Sequence, residues 1–566
     1  MYLFEKQVNS RTGSYTYICL GHNKRENGQA KRVWEATLCR KDKLEESLPI
    51  IKRKLSSRSR EIEEHPFGLE YALLSICDDL GLADIINECV EKRNGTIPVG
   101  DYLTVLVINR ASVLNSKNKM QSWFDKTTLF RRFPQFKNAL TPQNIFNQMA
   151  YLDQETIRSI ESKICKALVT RYKVDSDCFL FDPTNFFTYI REHEQNTIAQ
   201  RGHNKKKRNE LRQINASLLV TRDEFNLPIM HETYEGNIPD VTHFKAAITH
   251  IEQRFKVIGM ELPAVTLVFD KGNNSDDAYK MLDKDGIHFV SSVRPSMAKV
   301  KNLFDVPLSE YSVLWKKENG TEVLGYRVAT DLYLGKENTL VVTFDHDTFD
   351  LHEYNLDKTI HSAETELKSF VERQLNSKPQ WRDKAKVITK IDRDILKNKE
   401  LQALIPYTIT EGEGKLQVTW SVDDDARDEA LNDAGKSFIF TNQNKWSTVD
   451  IVKTYRAQKG VEDQFKALNN RNRISVMPMY HWTDQKIRAH VFISVLALLV
   501  SNLLYRKLRQ GGIDASAETC IKELEGIREI HACYEDNLPA DIALTRMSSL
   551  QKLAVKILDL KRKYLP

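Results

Sequence analysis

Three acidic side chains lie far apart in the sequence, in settings from which each could reach a common point. They are Asp182 ending the apolar run CFLFD, Asp270 ending VTLVFD, and Glu462 within TYRAQKGVEDQFKAL. Two aspartates and a glutamate offer only oxygen, the donor that hard divalent cations such as Mg²⁺ accept. Two such ions held roughly 4 Å apart clamp a phosphate between an attacking and a leaving oxygen. The chemistry open to this set is metal-dependent phosphoryl transfer without a covalent protein intermediate. Taken singly, an Asp after a β-favouring run is more often a turn or cap residue, so it is the combination that counts.

The first two carboxylates each follow a short hydrophobic stretch and precede a turn former, Pro183 or Lys271-Gly272. Each is therefore predicted to project from a strand end, where open α/β sheets keep their chemistry. Between them, LRQINASLLVTRDEFNLPIMHETYEG reads as a strand pair and DVTHFKAAITHIEQRF as a helix. Strand, strand, strand, helix, strand is the opening of an RNase H-like mixed α/β sheet, in which the first and fourth strands are neighbours and their acids meet. For Glu462 the positioning element is a helix. Ser447 with Asp450 forms a capping-box-like start, and Ile451, Tyr455, Gln458, Glu462, Phe465 and Asn469 then recur at spacings of four and three. They share one helix face, which carries Ile451 and Phe465 and so must turn inward, leaving Glu462 buried against apolar neighbours unless metal or a basic partner meets it.

The chain resembles the DDE insertion-sequence transposases of the IS-four type, over about residues 178–305 and 436–505. The matching text is FDPTNFFT, then GHNKKKRNELRQINASLLVTRDEFNLPIMHETYEGNIPDVTHF, then VFDKGNNS with HFVSSVRP, then YRAQKGVEDQFKALNN leading into RISVMPMYHWTDQKIRAHVFISVLALLV. The resemblance implies that Asp182, Asp270 and Glu462 are the catalytic and metal-binding acids. It also implies two Mg²⁺ or Mn²⁺ ions, double-stranded DNA (element ends and target) as partner, and at least a homodimer on paired ends. The implied reaction is excision and rejoining of a DNA element. In that family a Tyr, Arg, Glu, Lys signature grips DNA beside the scissile phosphate. Here Tyr455 and Glu462 match, while Gln458 and Asn469 replace the two cations, and neither can neutralise a phosphate. Neighbouring Arg456, Lys459, Lys466 and Arg471 are the compensating candidates. The two rival readings are a catalytically silent, transposase-derived DNA-binding protein and an RNase H-like nuclease or resolvase.

Overall charge says little: 83 Lys plus Arg against 77 Asp plus Glu. Locally, residues 1–60 carry 14 basic and 6 acidic side chains, and a run of Lys205, Lys206, Lys207 and Arg208 follows the first acidic strand. Such clusters give salt-sensitive, sequence-independent phosphate affinity, although many charge runs are only solvated faces. With Lys271, they complete the expected DNA-contacting set, and Arg110, Arg131 and Arg132 are further candidates.

At 566 residues, with 41% hydrophobic and 28% charged content, the chain should fold into several soluble domains. The predicted organisation is a basic β-rich segment (1–65), an α-helical DNA-binding domain (66–170) and a catalytic domain in two parts (171–305, 436–510). A β-rich insertion (306–435) separates those parts, and a helical tail (511–566) closes the chain as a dimer surface or capping subdomain. Trp315, Trp381, Trp420 and Trp446 could stack on a flipped base, with ordinary core packing the stronger reading. Eight scattered cysteines without CxxC pairs predict reduced thiols and a cytoplasmic protein. VFISVLALLV is too short to span a bilayer and reads as a buried core helix, and MYLFEKQVNS lacks the features of a signal peptide.

Overall fold

A computed structural model describes residues 2–10, 13–26, 29–44, 59–91, 97–175, 177–191, 194–204, 208–293, 300, 303–333, 335–412, 414–470, 473–534 and 541–565. The chain forms two compact units. One contains Met1–Ile76, Asn115–Pro142 and Leu504–Pro566, the other Cys77–Leu114 and Gln143–Leu503. The helical stretch predicted as one domain at 66–170 is thus divided between them.

The first unit begins with β1 (Tyr2–Ser10), β2 (Gly13–Glu26) and β3 (Gln29–Arg40), an antiparallel meander as the alternating sequence predicts. The next strand, β4 (Ser59–Pro66), leaves this meander for another sheet, completed by strands from the chain's end.

The second unit is built on a nine-stranded mixed sheet. In chain order its strands are β5 (Cys178–Thr188), β6 (Arg212–Thr221), β7 (Pro228–Glu235), β8 (Thr266–Phe269), β9 (His288–Ser292), β10 (Ser312–Lys316), β11 (Glu322–Thr330), β12 (Asn338–Asp345) and, after a hairpin β13 (Tyr407–Gly412) and β14 (Lys415–Trp420), β15 (Lys436–Thr441). Their spatial order is β10-β11-β12-β15-β9-β8-β5-β6-β7. β5 runs antiparallel to β6 and parallel to β8, which is parallel to β9. The expected adjacency of the two Asp-bearing strands is present. All four residues of β8 are buried, the near-continuous apolar pattern of a strand covered on both faces. On one side lies the helix Asp240–Ile258, whose Phe244, Ala247, Ile248, Ile251 and Phe255 recur at helical spacing and are buried. Its Phe244 ring sits 4.6 Å from Phe269 and 5.0 Å from Phe181, and Phe255 lies 5.0 Å from Phe179.

The predicted β-rich insertion at 306–435 needs correction. β10, β11 and β12 extend the main sheet instead of forming a separate one, because β12 pairs with β15, and β15 with β9. Only the segment between β12 and β15 has a core of its own. It contains the helix His346–Arg373, the β13–β14 hairpin and buried Leu367, Phe370, Val387, Ile391 and Leu404. Trp381 and Trp420 pack against that core, with Trp381 edge-on to Phe370 at 5.3 Å. Trp315 instead lies under Arg456 and Lys453, and Trp446 is half-buried.

VFISVLALLV lies in the helix Asp484–Gln510, long and apolar enough to cross a membrane but with 83% of its most apolar window buried inside the protein. Beyond it the tail is not solely helical. β16 (Arg528–Tyr534) pairs with β17 (Asp541–Leu544) and β4, between the helices Ala517–Glu525 and Ser549–Ile557. All eight cysteines are free thiols.

Candidate functional site

Asp182, Asp270 and Glu462 line one cleft of about 660 Å³ in the second unit, together with Pro183, Thr184, Tyr455, Arg456, Gln458, Lys459, Phe465, Lys466 and Asn469. Three segments remote in sequence thus contribute to a single concavity.

Asp182 is the fifth residue of β5, not its last as predicted. Pairing with the parallel neighbour stops at Leu180↔Val268, whereas pairing with β6 continues through Asp182↔Leu218 to Thr188↔Arg212. From Phe181 onward β5 is an edge on the β8 side, so Pro183 is accommodated there and does not end the strand. Asp182 still emerges where the parallel pairing runs out.

Asp270 follows β8 directly, as predicted. Its Oδ1 accepts hydrogen bonds from Ser292 Oγ at 2.7 Å and from the Tyr455 hydroxyl at 3.2 Å. Both donors converge on one oxygen, and among the described residues no hydrogen-bond donor meets Oδ2. Ser292 is held in turn by accepting from the Lys271 backbone N–H at 3.1 Å. Burial, then the Asp270 charge, with Glu462 also contributing, pushes the Tyr455 phenol well above its usual range, so it stays protonated and donates.

Glu462 is exposed to the cleft, which corrects the expectation of an inward, buried carboxylate. Thr448–Arg456 and Lys459–Asn469 are two helices, yet Tyr455, Gln458, Glu462, Phe465 and Asn469 all line the cleft, so the predicted face is present and Glu462 is exposed because that face borders the cleft and not the core. The predicted start holds: Ser447 caps the first helix by accepting from the Asp450 N–H at 3.1 Å. The second helix seats closely because residue 460 is glycine; a Cβ there would lie 2.1 Å from Asn226 Oδ1 in the β6–β7 turn. Its other face is tied to the helix Asp484–Gln510 by Asn502 Nδ2 donating to Gln464 Oε1 at 2.8 Å.

The three carboxylates do not crowd together. Among the described residues they are not a set whose ligand atoms all lie within 4.8 Å of one another. Three oxygens on one small ion, each about 2.1 Å from it, would be within about 4.2 Å of each other. Their all-oxygen donor set suits a hard cation such as Mg²⁺ or Mn²⁺.

Several expected DNA contacts have other partners. Gln458 is buried, 8% exposed, and its amide donates to the Phe181 carbonyl at 2.7 Å, so it positions the strand next to Asp182 and does not face a phosphate. Asn469 donates to the Phe465 carbonyl of its own helix. Arg456 pairs with buried Asp345 at 2.9 Å, Lys466 with Asp463 at 2.6 Å, and Arg208 with Glu210 at 2.9 Å. Arg110 donates to the Ser475 carbonyl, and Arg131 grips buried Glu529 with both terminal nitrogens, so both are structural. Arg132 is exposed beside Phe133, and Lys271 and Lys459 are exposed near the acids. Lys205, Lys206, Lys207 and Arg471 lie outside the described residues. Ser292 and Gly460 were missed in the sequence, although both stand within motifs already noted, HFVSSVRP and YRAQKGVEDQFKALNN.

No known protein-family profile and no curated protein matches this chain.

Proposed function

We propose that this protein is a DDE transposase that binds the ends of an insertion sequence, cleaves them by metal-dependent phosphoryl transfer and joins the 3′ ends to target DNA. The observation that carries this reading is the gathering of Asp182, Asp270 and Glu462 in one cleft. The order β7-β6-β5-β8-β9 within the sheet, with β5 and β8 parallel, supports an RNase H-like core.

Two Mg²⁺ or Mn²⁺ ions held by Asp182, Asp270 and Glu462 would supply charge stabilisation of the attacking and leaving oxygens. The chain's own residues do the positioning. Ser292 and Tyr455 fix one oxygen of Asp270 and leave the other for coordination. Gln458 locks β5 beside Asp182 to the helix pair that carries Glu462. Exposed Lys271 and Lys459 offer phosphate contacts of the non-specific kind. With Gln458 committed to a backbone carbonyl, nothing at that position supplies the cation that hairpin formation uses in the resembled family. The partner is double-stranded DNA, the active form on paired ends is at least a dimer, and the protein works in the cytoplasm.

The test is cleavage of labelled candidate element ends with Mg²⁺, Mn²⁺ or Ca²⁺ on denaturing gels. Asp182→Asn, Asp270→Asn and Glu462→Gln should each abolish cleavage while end binding persists. Full cleavage by any one of them would overturn the assignment, and nicking without joining would point to a nuclease instead.

A further inference from the structure

A second cluster of metal-ligating side chains lies in the other unit. β4 and β16 pair antiparallel, with Glu63 opposite His531 and His65 opposite Glu529. Residues two apart on a strand and their direct cross-strand partners point to one face, so these four side chains form a square. Among the described residues, Glu63, His65 and His531 are the set that offers three ligand atoms all within 4.8 Å of one another.

Hydrogen bonds around the square commit one nitrogen of each imidazole. His65 Nδ1 lies 3.0 Å from the Lys126 carbonyl, which can only accept, so Nδ1 donates there and Nε2 is the ring nitrogen left for a ligand. That Nε2 faces Glu63 Oε2 at 3.3 Å. A divalent cation can take the place of the proton between that nitrogen and the carboxylate oxygen. His531 Nε2 lies 2.6 Å from Glu529 Oε1, and Glu529, fully buried, is gripped by Arg131 at 2.5 and 2.6 Å. Glu529 is therefore an acceptor, His531 Nε2 donates to it, and Nδ1 is the ring nitrogen left for a ligand. A carboxylate or carbonyl on the far nitrogen of each histidine is the support that ligating imidazoles carry in metal sites.

We propose that Glu63, His65 and His531 bind a divalent transition-metal ion, Zn²⁺ by the softness of two imidazoles and one carboxylate, with Glu529 and the Lys126 carbonyl orienting the histidines. Glu63 is half exposed, which leaves a fourth position open to water. The ion ties the strand after the N-terminal meander to a strand near the chain's end, and its role is structural. This site is independent of the acidic cleft, and its oxygen-and-nitrogen donor set differs from that cleft's all-oxygen one.

The experiment uses the full-length chain, stripped with a chelator and titrated with Zn²⁺ alone by calorimetry, with bound metal counted by mass spectrometry. One tight equivalent per chain is expected, with a rise in melting temperature on loading. His65→Ala and His531→Ala should each weaken binding at least tenfold and remove the thermal shift. Asp270→Asn should retain both. Should one histidine variant fail to fold, Glu63→Gln with the remaining histidine variant reads the same loss. Absence of a tight equivalent in the wild type, or an unchanged one in the His65→Ala/His531→Ala double variant, would overturn the proposal.

Discussion

Removing the Ser292 hydroxyl tests how the Asp270 carboxylate is prepared for its task. In Ser292→Ala the carboxylate loses its shorter hydrogen bond, 2.7 Å to Oδ1, and keeps the 3.2 Å bond from Tyr455. A hydrogen bond to a charged group contributes about 1.5–3 kcal/mol. At about 1.4 kcal/mol per factor of ten, that corresponds to a roughly 10- to 150-fold change in an equilibrium constant. Because Tyr455 still restrains the same oxygen, the lower end is expected, near a tenfold rise in the Mg²⁺ concentration that half-saturates cleavage. Cleavage at saturating Mg²⁺ should recover most of its rate, unlike in Asp270→Asn. The assay is end cleavage across a Mg²⁺ series, with thermal melting as a fold control. A half-saturation point identical to wild type in a folded variant would refute the claim that Ser292 prepares a metal ligand. Cleavage lost at every Mg²⁺ concentration would show that the hydroxyl has a different job.

Gly460→Ala should misplace the helix that carries Glu462, costing up to about 2 kcal/mol from the clash with Asn226, whereas in an Asn226→Gly background the same change should be neutral or stabilising by up to about 1 kcal/mol; urea unfolding of the three variants checks this. His243 is held neutral in the fold, pushed down to about 4, first by burial and then by the balance of Glu232 and His250. The unfolded chain takes up its proton near pH 6.5, so the associated stability is complete above that pH and is lost as pH falls toward about 4, amounting to about 3 kcal/mol. His243→Gln should flatten that part of the urea-midpoint profile. Glu70 has the opposite sign. Burial pushes its carboxyl up to about 7 from 4.5, so stability is present below pH 4.5 and falls as pH rises through about 7. Glu70→Gln should therefore raise the melting temperature at pH 8 and leave it nearly unchanged at pH 4.

Most of what surrounds the acids was legible because it is local. CFLFD and VTLVFD are short apolar runs whose length and composition admit few elements other than buried strands, and the intervening hairpin and helix carry clear periodicity. What misled was information that lies between segments. Pro183 reads as a terminator, yet it ends a strand only where a neighbour requires its missing N–H, and β8 has already stopped. The spacing from Tyr455 to Asn469 does mark one face, across the interruption at Ala457 and Gln458, but spacing within one segment cannot tell a face that borders a cleft from one packed into the core. EVLGYRVAT and NTLVVTFD were correctly strand-like, and only the long-range pairing of β12 with β15 shows whose sheet they join. REIHACY is too short to stand out in a helical tail, and its partner β4 lies at the other end of the chain.

The bond from Gln458 to the Phe181 carbonyl has a further consequence. A guanidinium or ammonium at this position would have to leave the strand to grip a backbone phosphate, loosening the alignment of the first acid against the third. Here the side chain serves as a latch inside the molecule, fastening the strand of the first acid to the helix pair that carries the third.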